Sequence, residues 1–178
     1  MQTSLPLSGV RVFDLTRILA GPTCTQLLGD LGADIIKVEK PFVGDDTRTW
    51  GPPYVKDRLG NDTTESAYYL SANRNKRSVT IDLSQPAGIE LAKKFIEKSD
   101  VLIENFKVGG LAKLGLGYEE IREQFPNLVY CSVTGFGQTG PYAPRAGYDF
   151  LAQGIGGIMS ITGAPEGEPV KVGVGLSL

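Results

Sequence analysis

Val10-Arg-Val-Phe-Asp-Leu15, Gly21-Pro22 and Asp34-Ile-Ile-Lys-Val38, all within residues 10–39, decide the fold class. The outer two segments are short apolar runs rich in β-branched residues, the pattern of buried strands. Gly21-Pro22 breaks the first run, and proline suits an opening helical turn, so a helix is predicted from Pro22 with Leu27, Leu28 and Leu31 facing the sheet. A strand, a turn, a helix and a second strand therefore fit between Val10 and Glu39.

Strand-like runs recur at residues 77–83, 101–104 and 128–133, separated by helix-like or loop-like segments. This alternation predicts an α/β fold built on a Rossmann-like parallel sheet with flanking helices. A second helix is placed with Ser84 as N-cap, Pro86 in the first turn, and Ile89, Ala92 and Ile96 as one apolar stripe with Phe95 alongside. Lys93, Lys94, Glu97 and Lys98 form its solvated face. Residues 41–65 lack periodicity and contain Gly44, Gly51, Pro52 and Pro53, which predicts a long loop of the kind that often carries function. The glycines between Gly154 and Gly175 imply tight turns or close backbone approach. The apolar ending Val172-Gly-Val-Gly-Leu-Ser-Leu178 reads as a cut inside a strand or turn, hence a fragment.

The chain has 178 residues, enough for one domain with a sizeable core. With 41% hydrophobic and 21% charged residues and a net charge of −2, it offers no electrostatic footprint for nucleic acid. Cys24 and Cys131 form no CxxC pair, which fits a reducing compartment. No leader pattern and no membrane-length apolar run is present, so a cytoplasmic protein with no membrane partner is expected.

Histidine is absent. Imidazole-activated serine and cysteine nucleophiles are thereby excluded within this chain, and zinc loses its commonest nitrogen ligand. Chemistry falls to carboxylates, lysines, hydroxyls or backbone amides.

Gly135-Phe-Gly-Gln-Thr-Gly140 spells a dinucleotide-binding turn, but Pro141 and Pro144 follow where a helix should begin, and no acid lies about 20 residues beyond. Lys40 and Asn73-Arg-Asn-Lys-Arg77 sit near strand ends, as phosphate partners or as hydrated basic turns. Asp45, Asp46, Arg48 and Trp50 share the long loop, where the aspartates are either reactive groups or turn formers. Asp149 is either reactive or an N-cap, and Tyr148 is either a hydrogen-bond donor or packing.

Several blocks in one order resemble the family III coenzyme A transferases of the CaiB/BaiF type, the group that includes the α-methylacyl-CoA racemases. They are Leu7-Ser-Gly-Val-Arg-Val-Phe-Asp-Leu-Thr16, Leu19-Ala-Gly-Pro22, Leu31-Gly-Ala-Asp-Ile-Ile-Lys-Val-Glu39, Gly44-Asp-Asp-Thr-Arg48, Asn73-Arg-Asn-Lys-Arg-Ser78, Asp100-Val-Leu-Ile-Glu-Asn-Phe106, Leu114-Gly-Leu-Gly117 and Ser132-Val-Thr-Gly-Phe-Gly137. The wording Gly44-Asp-Asp-Thr-Arg-Thr-Trp-Gly-Pro-Pro53 and Gly147-Tyr-Asp149 is most similar to the branch that moves coenzyme A from succinyl-CoA to glutarate and other dicarboxylates. Racemases carry histidine where Tyr148 stands, so the resemblance favours transferase over racemase-like isomerase.

The resemblance implies a coenzyme pocket at Leu19, Ala20, Lys40, Ile81 through Ser84, Asn105, Phe106, Lys107, Lys113 and Ala146 through Tyr148 and Asp149, with Lys76 and Arg77 as partners of the coenzyme phosphates. Lys40 and Lys113 stand where some relatives have arginine, which keeps the charge but loses the bidentate fork. It implies acyl-CoA and a small carboxylic acid as substrates, no covalently bound cofactor, and an interlocked homodimer in the full-length form. Its mechanism is covalent, through an aspartate whose place falls at position 178, where this chain has leucine. Residues 1–178 are therefore expected to be an incomplete N-terminal coenzyme-binding domain, inactive alone, with exposed apolar strand edges and a tendency to aggregate. The remaining alternative is a non-catalytic coenzyme-binding or interaction module.

Overall fold

The computed structural model describes residues 4–175. In order these form β1 (Arg11–Asp14), α1 (Ala20–Asp30), β2 (Asp34–Glu39), β3 (Tyr54–Lys56), β4 (Asp62–Ser66), α2 (Ala67–Ser71), β5 (Lys76–Thr80), α3 (Pro86–Ile96), β6 (Val101–Glu104), α4 (Tyr118–Ile121), β7 (Val129–Ser132) and α5 (Asp149–Ile155). Short 3-10 turns occur at Asp46–Thr49, Ala112–Leu114 and Ile158–Ile161. The chain divides into two compact units, Met1–Ser132 and Val133–Leu178.

The first unit is built on a five-stranded sheet in the order β5-β2-β1-β6-β7, with every neighbouring pair parallel. The chain starts at the middle strand, works outward to β5, and then crosses back to the other side of β1. The winding direction reverses between β1 and β6, and sheets wound this way bind ligands beyond the carboxyl ends of their strands at that reversal.

Alternation along the strands gives the sheet two unlike faces. Phe13, Leu15, Ile36, Val38 and Leu102 pack with Ala92 and Ile96 of α3 and Ile121 of α4 into a dry core. There the Phe13 ring stacks on Phe95 at 5.5 Å. The residues that alternate with them, Asp14, Lys37 and Glu39, are just as deeply buried but polar, at 0%, 1% and 4% exposure.

This polar face explains a departure from the predicted first helix. α1 starts at Ala20 rather than Pro22, and its buried residues are Gly21, Pro22, Thr25 and Gln26. Leu27 and Leu31 are turned outward, 55% and 46% exposed, and Leu28 is half-buried. A leucine stripe against Asp14 would leave a buried carboxylate without donors, a costly arrangement. Instead Thr25 Oγ1 donates to Asp14 Oδ2 at 2.6 Å, and Thr16 N donates to Asp14 Oδ1 at 2.9 Å.

The apolar stripe of α3 is as predicted, with Ala92 and Ile96 buried and Ile89 and Phe95 against the same core. Its N-cap residue is Gln85 rather than Ser84, because the Ser84 N–H and hydroxyl both turn back to Asp82 Oδ1, at 3.0 and 2.6 Å. The long loop contains the Asp46–Thr49 turn and the antiparallel hairpin of β3 and β4. Both hairpin strands are largely exposed, so neither carries an apolar period.

In the second unit no helix follows the Gly135–Gly140 run until α5. Gly135 serves a close backbone approach, since a Cβ there would stand 2.2 Å from Gly147 Cα. Asp149 is the first residue of α5 rather than its N-cap, which is Tyr148. No helix among the described residues is long and apolar enough to cross a membrane.

Candidate functional site

A cleft of about 540 Å³ opens in the first unit beyond the carboxyl ends of β1, β2, β5 and β6, where the strand order places a ligand site. Its floor is apolar, formed by Leu15, Val38, Ile81 and Phe106, and its cations are Arg17 and Lys40. Such a lining accepts a ligand with an apolar or aromatic body and an anionic group.

Buried charges hold its walls. Lys37 Nζ donates to Thr16 O in the β1 loop and to Asp45 Oδ2 in the β2 loop, both at 2.9 Å. Asp45 also caps the Asp46–Thr49 turn through Thr47 N at 3.0 Å. Its carboxylate faces the Ile18 N–H at 3.3 Å. Ile18 has φ of 71°, a left-handed conformation that a β-branched residue adopts only under constraint. Burial pushes the Asp45 carboxyl up, but the Lys37 ammonium and the Thr47 donors outweigh it and hold it below its ordinary value.

Glu39, the last residue of β2, collects Arg48 Nε at 2.7 Å, Arg48 Nη2 at 2.8 Å, Ser78 Oγ at 2.7 Å, Asp45 N at 2.9 Å and Tyr69 Oη at 3.0 Å. Burial raises its pKa, yet the Arg48, Ser78 and Asp45 hydrogen bonds together bring it down to about 2. The Arg48 guanidinium lies 3.8 Å over the Tyr69 ring and also pairs with Glu65. Across the reversal point, Asn105 accepts from Arg17 N at 2.9 Å and donates to Arg17 O at 2.7 Å, fixing that loop to the end of β6. Asp45 and Glu39 are thus consumed in shaping the cleft, and no cluster of metal-ligating side chains occurs among the described residues.

The predicted site residues divide clearly. Lys40, Ile81 and Phe106 line the cleft, with Asp82, Leu83 and Ser84 beside Ile81. Asn105 braces it, Leu19 and Ala20 begin α1, and Lys107 and Lys113 are exposed on neighbouring loops.

Lys76 and Arg77 are not brought to the cleft. Lys76 Nζ is buried, 2.8 Å from Pro22 O, 2.9 Å from Asn73 Oδ1 and 3.4 Å from Asp14 Oδ2. Burial lowers its pKa to about 8 against the pull of Asp14. Arg77 pairs with Asp34, the first residue of β2, at the amino ends of the strands. Ala146, Tyr148 and Asp149 belong to the second unit, where Tyr148 is 68% exposed and Asp149 Oδ2 accepts from Gln153 at 2.7 Å. Position 178 lies outside the described residues.

Sequence reasoning missed Arg17, Lys37 and Glu39. Lys37 and Glu39 were signalled by charges inside an otherwise apolar strand, Ile35-Ile-Lys-Val-Glu39. Arg17 gave no comparable signal.

A sequence profile of CoA-transferase family III matches residues 7–177. The succinate–glutarate CoA-transferase of Agrobacterium fabrum is 56% identical over 172 residues, covering 97% of this chain and 43% of that protein. The succinyl-CoA:glutarate CoA-transferase of Homo sapiens is 51% identical over 177 residues, covering 99% and 39%. The crystal structure of a CAIB/BAIF family protein from Brucella suis aligns with a TM-score of 0.90 at 55% identity, covering 97% of this chain and 45% of that one. The chain spans less than half the length of these relatives. With the profile running through both units and the same fold in a solved relative, the chain belongs to CoA-transferase family III.

Proposed function

We propose that this chain forms the coenzyme-binding part of an enzyme that transfers coenzyme A from an acyl-CoA such as succinyl-CoA to a dicarboxylic acid. The observation that carries the reading is the cleft at the reversal point, apolar in its floor and cationic at Arg17 and Lys40. Leu15, Val38, Ile81 and Phe106 suit the adenine and pantetheine body, and Lys40 offsets phosphate charge. The relatives named for glutarate support a dicarboxylate acceptor.

The chemistry needs no histidine. An aspartate carboxylate attacks the acyl-CoA carbonyl, the C–S bond breaks, and an acyl-aspartyl anhydride and a CoA thiolate result. The thiolate attacks the aspartyl carbonyl, releasing the first acid and leaving an aspartyl-CoA thioester. The acceptor carboxylate displaces the thiolate again, and its return to the acceptor carbonyl frees the product thioester and the aspartate. Each exchange conserves an activated acyl bond provided that water is kept out.

On this reading the attacking position is Leu178, whose isobutyl group has no electron pair to offer, so the chain alone does not turn over. The same leucine favours a second reading, a coenzyme-binding module without catalysis. A racemase-like isomerase is disfavoured by Tyr148 in place of a proton-transferring histidine. The full-length form is an interlocked homodimer in the cytoplasm.

Calorimetric titration with coenzyme A tests the common part. Saturable binding is expected, weakened about three- to fivefold by Lys40→Ala, the scale of a half-exposed charge pair. Absence of binding to the folded chain overturns the reading.

A further inference from the structure

Arg17 is placed at the cleft by its backbone and by an aromatic ring. Its backbone is clamped on both sides by Asn105, through Arg17 N at 2.9 Å and Arg17 O at 2.7 Å. The next residue, Ile18, is kept in a left-handed conformation with φ of 71°. Its guanidinium carbon lies 5.2 Å from the centroid of the Phe106 ring, within cation–π range, and both residues line the cleft. Yet its Nε–H is buried and meets no acceptor. A buried donor left unsatisfied is a standing cost, which an incoming acceptor would remove.

One anion faces this group. Asp46 Oδ2 lies 3.7 Å from Arg17 Nη1, and Asp46 Oδ1 lies 4.0 Å from Lys40 Nζ. Both separations exceed hydrogen-bond length, so the carboxylate stands between two cations without engaging either closely. Its turn is fixed by Asp45, which caps the Asp46–Thr49 segment. Two cations from separate loops, both lining one cleft, flank a site that a tetrahedral oxyanion fills better than a carboxylate on a short, anchored stem. Arginine's planar fork suits phosphate oxygens in particular.

We infer that Arg17 and Lys40 together bind a phosphate group of the nucleotide, and that Asp46 is the counter-ion this phosphate displaces. The inference rests on the proposed coenzyme-binding role and adds to it a binding residue and an exchange of anions. Asp46 offsets part of the charge of the two cations while the cleft is empty, and it competes with the incoming phosphate. Its removal therefore strengthens binding, although it deletes an ion pair of the free protein. A purely structural role for Asp46 predicts the opposite sign or no change.

The test is calorimetric titration of the full chain with coenzyme A, dephospho-coenzyme A and pantetheine, using Arg17→Met, Arg17→Lys and Asp46→Asn. Urea unfolding checks that each variant is folded. Expected are an approximately tenfold weaker Kd for Arg17→Met, a smaller loss for Arg17→Lys, and a two- to fivefold tighter Kd for Asp46→Asn. The Asp46→Asn gain shrinks when it is combined with Arg17→Met, since the two act on one phosphate. A loss with both nucleotides assigns the contact to the diphosphate, and a loss with coenzyme A alone assigns it to the 3′-phosphate. Pantetheine binding is unaffected in either case. If coenzyme A binds the native chain but Arg17→Met and Asp46→Asn leave its Kd unchanged, the inference fails and the proposed function stands. If coenzyme A does not bind the folded native chain, both fall.

Discussion

Replacing Lys37 by methionine keeps the aliphatic stem and removes the charge that joins two loops of the cleft. The side chains of Lys37 and Asp45 are 1% and 0% exposed, so the Asp45 carboxylate is left in the interior with no cation beside it. Breaking a buried pair from one side costs about 3–5 kcal/mol. Asp45 retains Thr47 N at 3.0 Å and Thr47 Oγ1 at 2.7 Å, which places the loss near the lower end, about 3 kcal/mol. Against a typical total of about 5–15 kcal/mol this is a large fraction. Urea unfolding followed by the fluorescence of Trp50, the only tryptophan, reads it directly, because Trp50 ends the turn that Asp45 caps. Adding Asp45→Asn removes the stranded charge and is expected to restore roughly 2 kcal/mol, as paired replacement of buried ions does. A Lys37→Met variant within about 1 kcal/mol of the native chain would refute the claim that this pair bears the cleft's structure.

Four further outcomes follow from neighbouring residues. Glu39 ionises at about 2 in the folded chain against 4.5 ordinarily, so its contribution of about 3 kcal/mol is fully present above pH 4.5 and lost as pH falls toward 2; Glu39→Gln abolishes that slope in acid titrations of Tm. Lys76 contributes a cost rather than a gain at neutral pH, since its folded pKa of about 8 lies below 10.5, and stability again rises as pH is raised between those values, a slope that Lys76→Met removes from alkaline titrations of Tm. Gly88→Ala would put a Cβ 1.9 Å from Asp82 O, forcing α3 off the loop that edges the cleft at an expected cost of about 2 kcal/mol or more, measured by urea midpoint. Thr25→Val removes a donor from the buried Asp14 and is expected to cost about 1–3 kcal/mol, whereas Leu27→Ala on the outward face of α1 changes stability by under about 0.5 kcal/mol.

The sheet was legible because its strands are short apolar runs separated by breakers. Residues 101–104 match β6 at both ends, and the other strands are displaced by one to three residues at an end. What escaped was the face to which each residue belongs. Period-two alternation distinguishes two sides, but it does not say that one of them will be covered by a helix with a polar underside. Hence periodicity alone turns Leu27 and Leu31 inward, whereas Thr25 and Gln26 are the buried residues of the helix. At the cleft, Lys40, Ile81, Asn105 and Phe106 came from resemblance rather than from pattern. Lys76 and Arg77 enter the expected site on the resemblance and on their charge together. Nearness to a strand does not reveal which end of the sheet a long side chain will reach, and theirs are committed to Asp14 and Asp34.

The tie through Lys37 has a mechanical corollary. Because one ammonium grips Thr16 O and Asp45 at once, and Asn105 grips the Arg17 backbone from the end of the neighbouring strand β6, the rim of the cleft is a braced frame rather than a set of independent flaps. Admission of a guest is then expected to need rotation of surface side chains, of which Phe42 is fully exposed, rather than movement of the frame. Little backbone freedom is left to surrender at the moment of capture, so amide exchange at Ile18 and Asp45 should be slow and nearly indifferent to whether the cleft is filled.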